Sequence, residues 1–324
     1  MIIAAIDVGY GNIKVVSYNT ITNNMKMLLI PSIAGKADDS DISQSFGKKK
    51  NVYVVEYEGE NYEIGEESIG NLVKVTHGEY LKTKSWKLFL LAALKSIGEE
   101  TIDLVVSGLP VYQYKDLKED MIQEIKGVHK VDKNLTVNIK NVEVIPQPLG
   151  ALASLIDDKP ELQSKNILLI DPGHHTFDWL CVVKGSIRMD LSGSHAEGVD
   201  SLINAVIKRV SKNNNGLMLS HHDIDEAIRN GTFKVEVYGK EFDIKQYLDL
   251  AVSNQLESSI DALKNMLQTT HNIGNILIGG GGANLYLQTI KESFPNHNVE
   301  TMSEPAMANA KGYLRFGLAK AKNL

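Results

Sequence analysis

Residues 3–16 read IAAIDVGYGNIKVV, and residues 167–180 read ILLIDPGHHTFDWL. Each stretch is an apolar run that ends in an aspartate, followed by a short turn with glycine and then by a second apolar run. Apolar, β-branched residues on both sides of a glycine turn predict two strands joined by a tight hairpin. Because the same hairpin occurs in both halves of the chain, the sequence indicates two related units. This duplication is the main indication of the fold.

The two hairpins carry residue types that suit phosphate groups and a divalent cation. Glycine lets the backbone approach a ligand closely, and the N–H groups of a tight turn attract phosphate oxygens. Asp7 and Asp171 offer the oxygen ligands that Mg²⁺ prefers, directly or through water. Lys14 follows the first turn and adds a positive charge for a phosphate. One such turn alone is a weak signal, whereas the duplication favours a polyphosphate held by both turns.

The second turn also suggests a metal site, because His174 and His175 lie between Asp171 and Asp178. Zinc requires three or four converging ligands, and adjacent side chains of a strand point to opposite sides. We therefore expect the histidines to contact or shape a phosphate turn, with incidental surface histidines as the alternative. We expect no transition metal there.

A third glycine turn, IGGGGAN at 278–284, lies between a predicted strand and a predicted helix. Four consecutive glycines cost conformational entropy, so local propensity does not explain them. We interpret them as a surface for close contact with a flat ligand such as a purine.

Periodicity elsewhere completes the outline of an α/β protein. Residues 35–50 are polar and predict a loop. Apolar residues at helical spacing predict helices over residues 80–97, 113–126 and 245–268. Apolar runs predict short strands within 51–64, a strand at 101–110 that ends in a Gly-Leu-Pro turn, and a strand, a Pro-Gln-Pro corner and a helix over 142–156.

Composition limits the classes of function. The chain has 324 residues, 43% of them hydrophobic, and a net charge of −6, which indicates about two globular domains and no basic face for nucleic acid. No apolar stretch approaches the roughly 20 residues that cross a bilayer, and the N-terminus lacks the features of a signal peptide. The single cysteine, Cys181, lies in an apolar run. These features predict a cytoplasmic protein with no direct contact with nucleic acid or membrane.

Five short motifs, in order along the whole chain, resemble the nucleotide motifs of the actin-like ATPase superfamily. They are DVGYGNIK at 7–14 (phosphate 1), QPLGA at 147–151 (connect 1), DPGHHTFD at 171–178 (phosphate 2), IGGGGA at 278–283 (adenosine) and EPAMANAKGY at 304–313 (connect 2). Within the superfamily the chain most resembles the ParM-type plasmid-segregation actins of bacteria, through IPS at 30–32, SGLP at 107–110 and ANAKGY at 308–313.

The resemblance implies a role for individual residues. Asp7 and Asp171 would position Mg²⁺ through bound water, and Gln147 would orient the water that attacks the γ-phosphate. The nucleotide would be ATP, with GTP as an alternative. The residues that would hold it are Gly9, Gly11, Asn12, Lys14, Gly173, His174, His175, Thr176, Gly279, Gly280, Gly281 and Gly282. The second turn departs from the family pattern, which has small residues in place of both histidines.

The same resemblance implies the fold. We expect an actin-like, duplicated ribonuclease H-like α/β fold of two lobes with a nucleotide cleft between them. Lobe I would span residues 1–150, with an insertion at about 33–75, and would be completed by a C-terminal helix at 306–324. Lobe II would span residues 151–305, with an insertion within about 200–260.

The implied activity is an ATPase coupled to polymerisation, in which filaments assemble with ATP and disassemble after hydrolysis. The partners would be further copies of the chain and a DNA-binding adaptor that links the filament to a plasmid centromere. A small-molecule kinase of the same superfamily and a cell-shape type of bacterial actin are the alternatives.

Overall fold

The computed structural model of the chain describes residues 1–37, 51–65, 80–162, 164–195, 198–269 and 273–322. The chain forms two compact units. The first contains Met1–Leu109, Gln113–Pro146 and Ala310–Leu324, and the second contains Pro110–Tyr112 and Gln147–Asn309. The main segment of the second unit begins at Gln147, four residues before the expected 151, because the helix that starts there packs on the sheet of the second unit.

The strands are short and occur along most of the chain. In chain order they are β1 Ile2–Val8, β2 Asn12–Asn19, β3 Asn24–Pro31, β4 Ala34–Lys36, β5 Tyr53–Tyr57, β6 Glu60–Ile64, β7 Thr101–Leu109, β8 Gly127–Lys130, β9 Thr136–Pro146, β10 Ile167–Pro172, β11 Phe177–Val183, β12 Ser186–His195, β13 Lys234–Val237, β14 Lys240–Asp243, β15 Asn275–Ile278 and β16 Asn298–Thr301.

The α-helices follow the strands in both units. They are α1 Lys84–Ile97, α2 Val111–Ile125, α3 Gln147–Asp158, α4 Val199–Asn213, α5 His221–Arg229, α6 Lys245–Thr269, α7 Ala283–Ser293 and α8 Ala308–Ala321. The predicted helices at 80–97, 113–126 and 245–268 are confirmed as α1, α2 and α6. Short strands β8, β13, β14 and β16 were not predicted, because four-residue strands carry too little periodicity.

The main sheets of the two units share one topology. In the first unit the strand order is β3-β2-β1-β7-β9-β8, and in the second it is β12-β11-β10-β15-β16. In each, an antiparallel meander of three strands is followed by two strands that run parallel to the first strand of the meander. The duplication inferred from the two hairpins therefore extends to whole sheets.

Helix α1 is buried on nearly every side. Thr83 begins it by accepting a hydrogen bond of 3.2 Å from the backbone N–H of Trp86, and Gly98 ends it with a positive φ of 77°. The helix contacts β1 and β2 of the main sheet and also the small sheet β4-β6-β5. Leu88 and Leu91, which lie outside the apolar face that the helical periodicity predicts, are therefore buried as well.

Strand β10 lies in the middle of the second sheet and is buried along its whole length. Leu168 and Ile170 face one layer of the core, which includes residues of α4, α6 and α7. Ile167 and Leu169 face the other layer, which includes residues of α3. A strand covered on both faces is typical of the parallel part of an α/β sheet.

The structure describes only part of the insertion expected at 33–75, but all of the one expected within 200–260. Within 33–75, strands β4, β5 and β6 form a separate three-stranded sheet, and residues 38–50 and 66–79 lie outside the described residues. The predicted loop at 35–50 therefore lies mostly outside them, and it was wrong at residues 35 and 36, which belong to β4. Within 200–260 the structure has α4, α5, the β13-β14 hairpin and most of α6.

Candidate functional site

The first hairpin joins β1 to β2 through a tight turn. Asp7 pairs with Lys14 and Val8 pairs with Ile13 in the antiparallel register. The backbone N–H of Gly9 donates a hydrogen bond of 3.2 Å to the carbonyl of Asn12. A Cβ at Gly9 would lie 2.8 Å from that carbonyl oxygen, so only glycine fits the turn without a shift.

Asp7 and Lys14 form an ion pair at the base of this turn. Nζ of Lys14 lies 2.8 Å from Oδ2 of Asp7, and the two side chains are 17% and 2% exposed. A carboxylate this deeply buried is stable only with a charged or polar partner. The two residues that we expected to serve a cation and a phosphate therefore lie in direct contact.

Two residues outside the hairpin brace its turn. The Ser32 hydroxyl donates a hydrogen bond of 2.7 Å to the carbonyl of Gly9, and the Ser32 N–H donates one of 3.0 Å to the carbonyl of Gly11. The Tyr80 hydroxyl also donates to the Gly9 carbonyl, at 3.2 Å, and its ring stacks on Tyr10. These bonds occupy carbonyl oxygens of the turn and fix its conformation.

The side-chain amide of Asn12 lies at the end of the same turn. Its Oδ1 is buried, and no hydrogen-bond donor reaches it from the parts of the chain that the structure describes. A buried acceptor without a donor is unfavourable. The turn therefore suits a group that brings a donor, such as a water molecule held by a cation.

The second hairpin joins β10 to β11 in the same way. Asp171 pairs with Asp178, and the N–H of Gly173 donates a hydrogen bond of 2.8 Å to the carbonyl of Thr176. Asp171 is 4% exposed and is the next-to-last residue of β10, as Asp7 is of β1. The turn from Gly173 to Thr176 thus follows a buried aspartate, as the first turn does.

Asp178 braces this hairpin from within. The Thr176 hydroxyl donates a hydrogen bond of 2.7 Å to its Oδ2, and the Ser194 hydroxyl donates to its Oδ1. Burial raises the pKa of Asp178 well above its usual range, and the negative charge of Asp171 raises it further. Burial and the neighbouring charge therefore both favour the protonated form of Asp178.

Asn309 connects Asp171 to the start of α3. Its Nδ2 donates a hydrogen bond of 2.6 Å to Oδ2 of Asp171, and its Oδ1 accepts one of 3.1 Å from the N–H of Ala151. Gln147, the expected water-orienting residue, is the first residue of that helix and is half-buried. Sequence reasoning placed Asn309 in a family motif but assigned it no role, because its partners lie more than a hundred residues away.

The glycine run lies between β15 and α7, as predicted. Contacts within the protein require glycine at two of its positions. Gly280 has a φ of 76°, and a Cβ there would lie 2.2 Å from Oδ1 of Asp171. At Gly282 a Cβ would lie 2.9 Å from Val199 and 3.0 Å from the carbonyl of Pro172, whereas at Gly281 it would meet nothing within 4 Å. The close approach of the chain to β10 therefore accounts for glycine at Gly280 and Gly282, and contact of the run with a flat ligand stays a prediction.

Backbone N–H groups at the N-terminus of α4 donate hydrogen bonds to the carbonyl groups of the second turn. The N–H groups of Gly198, Val199 and Asp200 donate to the carbonyls of His175, Gly173 and His174, at 3.0, 3.1 and 2.8 Å respectively. A Cβ at Gly198 would lie 2.5 Å from the His174 carbonyl oxygen, which explains this glycine.

The His174 ring lies between two carboxylates. Nε2 is 3.5 Å from Oδ1 of Asp200, and Nδ1 is 3.6 Å from Oδ1 of Asp225. Burial alone would lower the pKa of His174, but the two carboxylates outweigh it and raise the pKa to about 9. The hydrogen bond to His174 in turn lowers the pKa of Asp200. The sequence did not predict these partners, which come from α4 and α5.

Comparisons with known proteins agree with this architecture. Residues 5–150 match the family of actin like proteins, N terminal domain, and residues 169–292 match the family of the archaeal actin homologue MreB-like, C-terminal. An archaeal actin homolog from Thermoplasma acidophilum is 26% identical over 332 residues, which cover 97% of this chain and 98% of that protein.

Solved structures show the same fold. A 15-stranded ParM filament from Clostridium botulinum has a subunit with a TM-score of 0.78 and 24% identity, covering 98% of this chain and 99% of that one. An archaeal actin homolog in complex with ADP has a TM-score of 0.73 and 21% identity, with full coverage of both chains.

The duplicated sheets and hairpins define a two-domain α/β fold of the actin type. With matches to both domains and over nearly the whole chain, this protein belongs to the actin-like ATPase superfamily. Within the described ranges, no helix is both long and apolar enough to span a bilayer.

Proposed function

We propose that this chain is a nucleotide-dependent ATPase that forms filaments. The observation that carries the proposal is the repeated hairpin, in which a buried aspartate precedes a glycine turn in both units, Asp7 in the first and Asp171 in the second. One hairpin of this kind is common among unrelated proteins. Two at equivalent places in duplicated sheets are typical of a protein that holds a polyphosphate.

The residues present fit ATP and Mg²⁺. Asp7 and Asp171 supply buried carboxylates, Lys14 supplies a positive charge, and Asn12 supplies a buried acceptor that a cation-bound water would satisfy. When bound, Mg²⁺ neutralises charge on the phosphates. The turn residues Gly9, Gly11, Gly173, His175 and Thr176 are proposed to surround the phosphates. His174 would contribute there through its backbone, because its ring faces Asp200 and Asp225.

We assign the orientation of the attacking water to Gln147. A side-chain amide is not an effective base, but it both donates and accepts hydrogen bonds and therefore fixes a water molecule in place. As the first residue of α3, Gln147 is held by the same helix whose Ala151 N–H is tied through Asn309 to Asp171. This chain of contacts supports the proposal that Gln147 and Asp171 serve the same site.

Self-assembly is supported by the likeness to a ParM filament along nearly the whole chain. A contact between unlike surfaces of successive copies generates an open filament unless it closes into a ring. Binding of ATP would favour assembly, and hydrolysis would favour disassembly. GTP is a second candidate nucleotide, because the phosphate contacts do not distinguish the two bases.

The experiment is sedimentation and light scattering of the purified protein with Mg-ATP, Mg-GTP, Mg-ADP or no nucleotide. We expect polymer with a triphosphate above a critical concentration, with phosphate release that follows assembly. A chain that stays monomeric at high concentration with Mg-ATP contradicts the filament proposal. ADP formation that depends on an added small-molecule acceptor, without release of inorganic phosphate, would instead indicate a kinase.

Plasmid segregation is the cellular role that we propose for the filament, with a DNA-binding adaptor as partner. The full-length match to archaeal actin homologs favours a cytoskeletal role without plasmids as the second candidate. An unstable reporter plasmid that carries the coding sequence and its neighbouring reading frames should be retained, and Asp171→Ala should abolish the retention. Unchanged plasmid loss would exclude this role and leave the filament proposal intact.

A further inference from the structure

Side chains from three separate elements converge beside the second turn. His174 lies in the turn, Asp200 lies in the first turn of α4, and His221 is the first residue of α5. Nε2 of His221 is 2.8 Å from Oδ1 of Asp200, and Nε2 of His174 is 3.5 Å from the same oxygen. The two imidazole rings meet edge to face with centroids 5.6 Å apart.

These distances are close to those of a metal-ligand set. One potential ligand atom from each of the three residues lies within 4.8 Å of the other two. A tetrahedral ion with bonds of about 2.0–2.1 Å holds its ligand atoms about 3.3 Å apart. The oxygen of Asp200 therefore needs only a small movement away from His221 for an ion to enter.

The groups behind His174 resemble those behind a metal-binding histidine. Its second ring nitrogen, Nδ1, faces Oδ1 of Asp225 across 3.6 Å, and Nε of Arg229 holds that carboxylate at 3.2 Å. Histidines that bind metals almost always have a carboxylate, carbonyl or water at the other ring nitrogen, which fixes the ring. Asp225 is placed for this task, and its own position is fixed by an ion pair.

The cluster is also accessible. The side chains of Asp200 and His221 are 25% and 37% exposed, and that of His174 is 17% exposed. Three protein ligands leave a fourth position for water, as in zinc sites that are not purely structural. Two imidazoles and one carboxylate suit Zn²⁺ or Co²⁺ better than Mg²⁺, which prefers oxygen ligands alone.

We propose that His174, Asp200 and His221 form a binding site for one divalent transition-metal ion of the Zn²⁺ or Co²⁺ class, with Asp225 orienting His174. The ion would join the second turn to the starts of α4 and α5. This proposal departs from our expectation from the sequence, which considered His174 only together with His175. In the structure the partner of His174 is His221, from a helix 47 positions later in the sequence.

The competing explanation is a cluster of ion pairs without a metal. A protonated His174 between Asp200 and Asp225 would be stable in the same place, and its proton must leave before an ion binds. The two explanations differ in stoichiometric metal binding, which the experiment measures directly.

The experiment is titration of chelator-treated, nucleotide-free protein with Co²⁺, followed by the visible absorption bands of tetrahedral cobalt, and then displacement by Zn²⁺. We expect one ion per chain, and excess Mg²⁺ should not displace it. His221→Ala and Asp200→Asn should each weaken binding at least about tenfold. His175→Ala is the matched control, because it removes the adjacent imidazole and should leave binding unchanged.

Two outcomes overturn the proposal. Absence of tetrahedral cobalt bands in the wild type means that the cluster is held by ion pairs alone. Equal binding by wild type, His221→Ala and Asp200→Asn places the ion elsewhere. Circular dichroism of each variant shows whether the fold is kept. Loss of binding in His175→Ala alone would mean that the ion is bound by the adjacent residues His174 and His175.

Discussion

Asn309 holds Asp171 by a hydrogen bond of 2.6 Å between two buried side chains that are 138 positions apart in sequence. The same amide accepts the N–H of Ala151, so one side chain satisfies a carboxylate and the first turn of α3 together. Removing it takes one hydrogen-bond donor from buried Asp171 and one acceptor from the N–H of Ala151.

Asn309→Ala should therefore lower the free energy of unfolding by about 1–3 kcal/mol. Urea denaturation measures the change. Asn298→Ala is the control, because Asn298 is exposed and its side chain makes only a 3.4 Å contact with Asn275. Equal losses in the two variants would show that the bridge contributes nothing.

Gly280→Ala and Gly281→Ala form a matched pair. The first places a Cβ at positive φ and 2.2 Å from Oδ1 of Asp171, so it should cost at least about 1 kcal/mol of stability. The second places a Cβ in open space and should change stability by less than about 0.5 kcal/mol. Thermal denaturation measures both. Weaker nucleotide binding by a fully stable Gly281→Ala protein would support contact between this residue and a base.

Asp171→Ala should reduce ATP turnover on the order of 10² or more, because it removes a buried charge at the proposed phosphate site. The measurement is phosphate release at saturating Mg-ATP. Asp190→Ala is the control, since Asp190 lies in the same unit and pairs with Arg188 on an exposed surface. Nearly unchanged turnover in Asp171→Ala would remove Asp171 from the site.

Gln147→Ala should slow hydrolysis on the order of 10² while largely sparing nucleotide binding, because a positioned water matters for the reaction and not for the bound state. Filaments should still assemble with ATP and should persist. Nucleotide affinity and single-turnover hydrolysis are measured separately. A parallel fall in both would make Gln147 a structural residue of the α3 start.

Stability should depend on pH through His174. Its pKa is raised to about 9 by Asp200 and Asp225 against the effect of burial. A histidine with a raised folded pKa contributes stability that is complete below about 6.5 and is lost as the pH rises through 9. In chelator, the wild type should lose about 1–3 kcal/mol between about pH 6.5 and 9.5, and His174→Gln should lose less. Urea midpoints across this range check the difference, and identical pH profiles contradict it.

The parts of the molecule that the sequence predicted are those set by local pattern. The strand, aspartate and glycine turn are adjacent along the chain in each hairpin, so the sequence alone indicated both hairpins and their duplication. The longer helices α1, α2 and α6 were predicted for the same reason, because each carries several turns of apolar periodicity.

The parts that were missed depend on contacts between distant positions. Ser32 and Tyr80 contact the first turn, and Asn309 contacts Asp171. Ser32 and Asn309 lie in motifs that the sequence showed, but their partners could be known only from the fold. The glycine run shows the limit most clearly. Its composition indicated a close approach, and only the fold shows that Asp171 and Pro172 are what Gly280 and Gly282 approach.

The burial of α1 by two sheets has a consequence for the motions of the first unit. Leu88, Phe89, Leu90 and Leu91 all lie in the core, so the helix exposes only a narrow polar strip that includes Lys84 and Lys87. Its amide protons should exchange with deuterium only when the whole first unit opens. Rearrangements that accompany nucleotide turnover must then carry α1 and its two sheets as one block and take place in the turns around it.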